Sequence, residues 1–428
     1  MRSISTIIFI FLTTAFTNAQ QSSCIKCHIS SDRVPDTTVA AAYLSADIHN
    51  QNGIGCEKCH GGDPTKGFTE NDAELAMDPA KGFKPPPDKA GIPEFCARCH
   101  SDIEFMKQYN PKLPADQLML YKTSVHGKLL FEKNDTKVAV CSDCHGAHGV
   151  LPSSDSRSKV YHQNAPGTCA ACHSQAQYMA GYINKGKPIA TDQYDKYSQS
   201  VHGVLVLQKG DQSAPACNGC HSNHGATLPS LVSVSAACGE CHATNRDFFK
   251  SSPHSEPFGK LENPDCEHCH GYHLIQIASD TLLGTSSGAL CVGCHEPDSP
   301  GYAAAATMRM AIDSLKDAIS QAENSTKEAE QKGAEGGQGR FDLGSAKDNL
   351  TMVRSVAHTF DPDQVEEITS AGIKTANDVQ QKALAALGDI RTRQIGLAVS
   401  LLVVIFLAFA IWRKIKQVDK DTDFVVRN

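Results

Sequence analysis

The chain has 428 residues, a formal net charge of -7 and 18 cysteines, with one tryptophan and 6% aromatic residues. The acidic balance argues against nucleic acid, which attracts basic surfaces. The thin aromatic content is too little for a conventional core of this size, so something other than side chains must fill the interior.

Residues 1–19 read as a signal peptide: Arg2, an apolar run from Ile7 to Phe16, and a small-residue site at Thr17-Asn18-Ala19. The run is too short to span a membrane.

Residues 20–301 hold every cysteine. They fall as Cys24/Cys27, Cys56/Cys59, Cys96/Cys99, Cys141/Cys144, Cys169/Cys172, Cys217/Cys220, Cys238/Cys241, Cys266/Cys269 and Cys291/Cys294. A histidine follows each pair at once: His28, His60, His100, His145, His173, His221, His242, His270 and His295. A disulfide scaffold would give varied spacings and no reason for these histidines. Zinc ribbons pair two C-x-x-C units per metal, and nine is odd. C-x-x-C-H is the spacing at which two thiols add to the vinyl groups of a haem and the next histidine takes the iron. Nine covalent haems c follow. At about thirty residues per motif the peptide cannot support its own core, so the macrocycles must form much of it.

A repeat of 76 residues relates Ser124-Val125-His126-Gly127 to Ser200-Val201-His202-Gly203, each followed by C-x-x-C-H-x-x-H-G. Looser copies are Ala46-Asp47-Ile48-His49 and Ser252-Pro253-His254. Stacked repeats imply an elongated array wrapped by short helices and loops. Residues 61–93 read as a long loop.

Ten histidines are not in the proximal position. His268 lies inside a haem-binding loop and is set aside. His49, His126, His148, His162, His202, His224, His254, His273 and His358 remain, nine distal candidates for nine irons. Two imidazoles per iron leave no place for substrate, the signature of an electron relay. Met77, Met106, Met119 and Met179 are alternatives for one or two irons.

Residues 302–390 form an amphipathic helical hairpin or three-helix segment, with a doubtful point at Gly372 and an interface as the preferred role. Apolar positions recur at three and four in Met308, Ile312, Leu315 and Ile319, then in Ala346, Leu350, Val353 and Ala357. Asp361-Pro362 reads as the cap and first residue of the third helix. Residues 395–412 carry no charge and reach about 27 Å as a helix, enough for one transmembrane span. Arg391 and Arg393 precede it; Arg413, Lys414 and Lys416 open a cytoplasmic tail, 413–428. The fold class expected is mainly α with much irregular structure, ending in a helical bundle and one membrane helix.

The SVHG…C-x-x-C-H-x-x-H-G strings, Cys266 to His273, and Val356 to Pro362 before a membrane helix resemble multihaem cytochromes c of the cytochrome c3-like superfamily. They resemble more narrowly the exported, membrane-anchored members that serve quinol-oxidising b-type partners. That resemblance implies a relay between a quinol-linked membrane-embedded cytochrome b or similar subunit and other cytochromes c, in anaerobic respiration, with the haem domain periplasmic. The alternative is a nitrite, hydroxylamine or tetrathionate enzyme with one open iron. The chain departs from nitrite reductases in having no C-x-x-C-K.

Overall fold

The computed structural model describes residues 22–30, 36–69, 72–184, 186–227, 234–260 and 265–426. The signal-peptide segment lies outside them. The described chain is mainly α, with much irregular backbone; its only strands are the two-residue pair Ile183–Asn184 and Lys187–Pro188. It forms two compact units. One runs to residue 227 and takes back Tyr272–Gln276; the other is made of 234–271 and everything from Ile277 onward.

The first unit is a series of short helices, most of four to nine residues. Its buried apolar residues are scattered; the largest local group joins Tyr121, Leu130, Val138 and Val140. The 61–93 segment is folded rather than open. It contains the turns Ala73–Ala76, Pro79–Lys81 and Lys89–Gly91. Three backbone bonds, from Gly62 to Lys81, Asp63 to Ala76 and Lys84 to His60, fold it back on the second motif. Gly61 and Gly62 have φ of 71° and 83°, and a Cβ on Gly61 would meet the Gly82 carbonyl at 2.0 Å. Only glycine permits that closure.

The second unit ends in three long helices, Pro300–Gln331, Gly337–Val356 and Pro362–Val426. The expected apolar stripes face one another. Leu315, Ile319, Ala322, Leu343, Ala346, Ala376 and Val379 form one continuous core, and Met308, Ile312, Val353, Val356 and Val365 a second. These faces are covered within the chain, so the interface role preferred for them gives way to a packed bundle. Gly372 does not break the third helix. It is a point of close packing, where a Cβ would lie 2.7 Å from Leu315 Cδ1 and 3.1 Å from Asn349 Cβ. Asp361 caps this helix as expected, its carboxylate accepting the Asp363 amide at 3.0 Å.

Asp280 ties the loop before the ninth motif to the bundle. Its carboxylate is 9% exposed and pairs with Arg354 at 2.8 and 3.0 Å and Lys316 at 3.0 Å. Arg309 Nη1 donates to its carbonyl at 2.6 Å. Beyond Ala383 the third helix continues alone. From Ile395 to Trp412 its large apolar side chains are all half-exposed or more, the length and composition of a candidate membrane span.

Candidate haem sites

Four of the expected distal histidines share one local structure. His49, His126 and His202 are the second residues of helices starting at Ile48, Val125 and Val201. His254 sits at the equivalent turn before Ser255–Lys260. Each is preceded by a buried capping side chain. Asp47 and Ser252 accept the amides of His49 and His254; Ser124 and Ser200 accept those of Gly127 and Gly203. Each serine also donates to the carbonyl three residues back, at Tyr121, Tyr197 and Phe249. The ring there reaches forward to the next motif. Tyr43, Tyr121 and Tyr197 donate to the carbonyls of Ile54, Ala139 and Pro215, each two residues before a first cysteine. A Cβ on Gly127 or Gly203 would meet the tyrosine carbonyl at 1.9 or 1.8 Å, which explains the glycine of SVHG.

The repeats are also stitched at a distance. The amides of Ile48, Val125 and Val201 donate to the carbonyls of Val150, Ala226 and Ile275. In each case the acceptor lies two residues past the second histidine of a C-x-x-C-H-x-x-H string. The fourth copy has Pro253 at this position, which has no N–H to give.

Seven of the nine C-x-x-C-H motifs are of two kinds. The second, fourth, sixth and eighth sit on short helices, Cys56–His60, Cys141–His145, Cys217–His221 and Asp265–His270. The next residue has positive φ: Gly61 71°, Gly146 82°, Ser222 65° and Gly271 72°. In the fourth, sixth and eighth, that turn carries the chain to His148, His224 and His273 three residues on. The third and fifth end nine-residue helices, Ile92–His100 and Ala165–His173, each with proline in the first turn. Their helical backbone runs on into Ser101 and Ser174, as that of Ser23–His28 does into Ile29.

Seven pairs of proximal and distal imidazoles lie opposite one another, with ring planes at 14° to 89°. Ring centroids are 6.1 Å apart for His49 and His100, 6.3 Å for His60 and His148, and 6.0 Å for His126 and His173. They are 6.0 Å apart for His145 and His224 and 5.9 Å for His221 and His273. In the second unit the distances are 5.9 Å for His254 and His295 and 6.1 Å for His270 and His358. A metal-bound imidazole nitrogen lies about 2 Å from its metal and about 1.1 Å from its ring centre, so two imidazoles on one metal have centroids roughly 6 Å apart. The seven pairs fit a haem iron between each two rings.

The hydrogen bonds agree. His49 donates Nδ1–H to Asp47 at 3.0 Å, and Nδ1 of His60, His221 and His358 faces the carbonyls of Lys84, Thr227 and Ser355 at 3.4, 3.2 and 3.0 Å. Holding Nδ1 directs Nε2 at the metal, the usual second-shell support of a ligating histidine. Burial lowers the pKa of His100, His126, His145, His148, His173, His224, His254 and His270, and takes His273 down to about 4. The neutral imidazole, which binds iron, is the favoured form. Burial also opposes ionisation of Asp47, but bonds from His49 and Val150 outweigh it and hold the carboxyl low.

Two histidines are placed differently. His268 packs edge-on against Phe258 at 5.1 Å. His162 uses Nε2, not Nδ1, to bond the Ala214 carbonyl at 2.9 Å, so its ligating nitrogen is engaged by backbone. Of the methionine alternatives, Met106 and Met179 are buried and Met77 and Met119 exposed.

Within each unit successive motifs are neighbours. The first thiols touch in pairs, Cys24 with Cys56, Cys96 with Cys141, Cys169 with Cys217 and Cys238 with Cys266. Between these pairs, Cys59 lies within electrostatic range of Cys99, Cys144 of Cys169, and Cys269 of Cys291.

Ten of the expected attachment thiols lie outside those touching pairs, among them Cys172, Cys220, Cys241 and Cys294. Cys172 lies within electrostatic range of Cys144 and bonds the Tyr178 hydroxyl. Cys220 is close to Tyr197, and Cys294 to Cys269, but both are exposed. Cys241 is exposed too, and its amide donates to the Cys238 carbonyl at 3.3 Å. All four are second cysteines, roughly one helical turn past the first thiol of their motif and so past the edge at which first thiols meet. No disulfide joins any of the eighteen cysteines. Sequence reading missed the tyrosine clamp, the buried caps and the two classes of motif. The 76-residue repeat carries a trace of the first, since Tyr121 and Tyr197 share its offset.

Residues 10–61 match the family model for cytochrome c554 and c-prime. The chain is similar to the multiheme cytochrome MtrA of Shewanella baltica, 23% identical over 304 residues, 64% of this chain and 76% of that one. It is also similar to the C-type polyheme cytochrome OmcC of Geobacter sulfurreducens, 22% identical over 255 residues, 54% of this chain and 31% of that one. No solved structure matches it.

Proposed function

We propose that this chain, a multihaem c-type cytochrome with covalently bound haem c, relays electrons between a quinol-linked membrane partner and periplasmic or outer acceptors through nine haems, most of them bis-histidine. One observation carries the reading: seven imidazole pairs at the spacing of a shared iron, on motifs whose thiols follow one another closely through each unit. Tunnelling falls off exponentially with distance, so closely spaced, coordinatively closed irons favour electron passage over substrate chemistry.

The exposed apolar stretch 395–412 supports a single-pass anchor in the cytoplasmic membrane. Its basic flanks support a cytoplasmic C-terminus, and the N-terminal apolar segment an exported haem region. Other cytochromes c and a cytochrome b are the partners this reading asks for.

Pyridine haemochrome should count nine haems per chain. Membranes containing the protein should reduce them with a quinol, and a soluble cytochrome should reoxidise them, with no turnover of nitrite, hydroxylamine or tetrathionate. A lower haem count, or no exchange with quinol and cytochromes, would overturn the relay.

A further inference from the structure

All nineteen histidines lie among the described residues. The seven pairs above include every proximal histidine except His28 and His242. Of the other ten, seven are the facing partners, His268 packs on Phe258, and His162 gives Nε2 to Ala214. His202 can close one iron at most. Two irons therefore have one histidine between them.

The pairing pattern identifies the iron left over. His49, His126 and His254 each face a proximal histidine further along the chain, at His100, His173 and His295. His28 precedes every capped histidine. His148, His224, His273 and His358 each face a motif whose proximal histidine is followed by a left-handed turn. His28 is followed by Ile29 at φ -91°, the other kind. Neither arrangement supplies His28, and among the described residues no imidazole faces its exposed ring. His148 is near enough to feel its charge but stacks on His60.

We infer that the haem on Cys24, Cys27 and His28 carries one imidazole only, and that its open iron face is a binding site for a small exogenous ligand of the carbon monoxide and nitric oxide class. The inference rests on the reading that each motif holds a haem. Binding is simple addition to ferrous iron, with no electron or proton transferred.

The test uses the full-length, detergent-solubilised protein with nine haems confirmed by pyridine haemochrome. Resting EPR should show a high-spin ferric signal equal to about one iron in nine, and the reduced protein should bind one carbon monoxide per chain. His162→Ala should leave both values unchanged. Replacing Cys24 and Cys27 by serine should abolish both. Nine low-spin haems with no carbon monoxide binding would overturn the inference while leaving the relay intact; methionine ligation of the iron gives that result. A gain of carbon monoxide binding in His162→Ala would make His162 the ninth distal ligand and overturn it too. Binding that survives loss of Cys24 and Cys27 would refute the assignment to His28.

Discussion

From Pro300 to Ala383 the chain makes an interior out of its own side chains; from Ser22 to His295 it mostly does not. The bundle buries Leu315, Ile319, Val353 and Val365 against one another, with Thr326 and Thr369 the buried polar side chains among them. In the motif-bearing region the residues that recur at equivalent places are a tyrosine, a buried serine or aspartate, a glycine and a histidine. They bond backbone and position imidazoles rather than pack against apolar neighbours. A side-chain core stabilises its fold wherever it is made. An interior of haem exists only after covalent attachment, so local hydrogen bonds must set the histidine geometry around it.

The sharpest way to break this comparison is to withhold haem. Expressed without attachment, residues 22–295 should lose compact structure and be cut throughout by protease, while 300–383 survives as a helical fragment. Limited proteolysis with mass spectrometry reads the difference, and equal resistance of both parts would remove the contrast. Within the bundle, Leu315→Ala should cost about 2–5 kcal/mol by leaving a cavity. The loss should appear in the helix melting transition and leave the haem absorbance unchanged.

Asp280 joins the two kinds of structure. Asp280→Asn should destabilise the second unit by about 1–3 kcal/mol at neutral pH, by leaving Arg354 and Lys316 without their carboxylate. Bonds from Arg354, opposed by burial and helped by Lys316, lower the Asp280 pKa in the fold. Its contribution is therefore complete above the unfolded carboxylate value and lost as pH falls through the lower folded one. The variant's acid unfolding curve should be flatter over that interval. The smallest expected effect is in the tyrosine clamp, where Tyr121→Phe should cost about 1 kcal/mol by removing the bond to Ala139. The fourth copy already carries Phe249 there, so Tyr121→Phe should leave the His126–His173 haem low-spin by EPR.

What could be read from the residues follows the range of each interaction. Haem attachment is written in five consecutive residues, and the bundle in a period of three and four; both were legible. Most of the opposed imidazoles were among the sequence candidates but their pairing was not legible, because His49 meets His100 and His358 meets His270 across 51 and 88 positions of intervening chain. His162 illustrates the limit. Composition makes it a ligand candidate like any other, and only the position of the Ala214 carbonyl, fifty-two residues away, engages its Nε2. Gly372 misled in the opposite direction, since a helix-weakening residue marks a close contact between helices.

The helix from Pro362 to Val426 runs through bundle, connecting stretch and apolar span without a break. At 65 residues it is roughly 97 Å long. Each residue advances a helix by about 100° and 1.5 Å. The stretch between Ala386 and Arg391 is thus a phase setting. One inserted residue would swing the bundle about a quarter-turn around the span and raise it by about 1.5 Å. Four would restore nearly the original bearing at a greater height. Chain length at this point works as an angular dial, fixing which side of the bundle lines up with a given side of the apolar span.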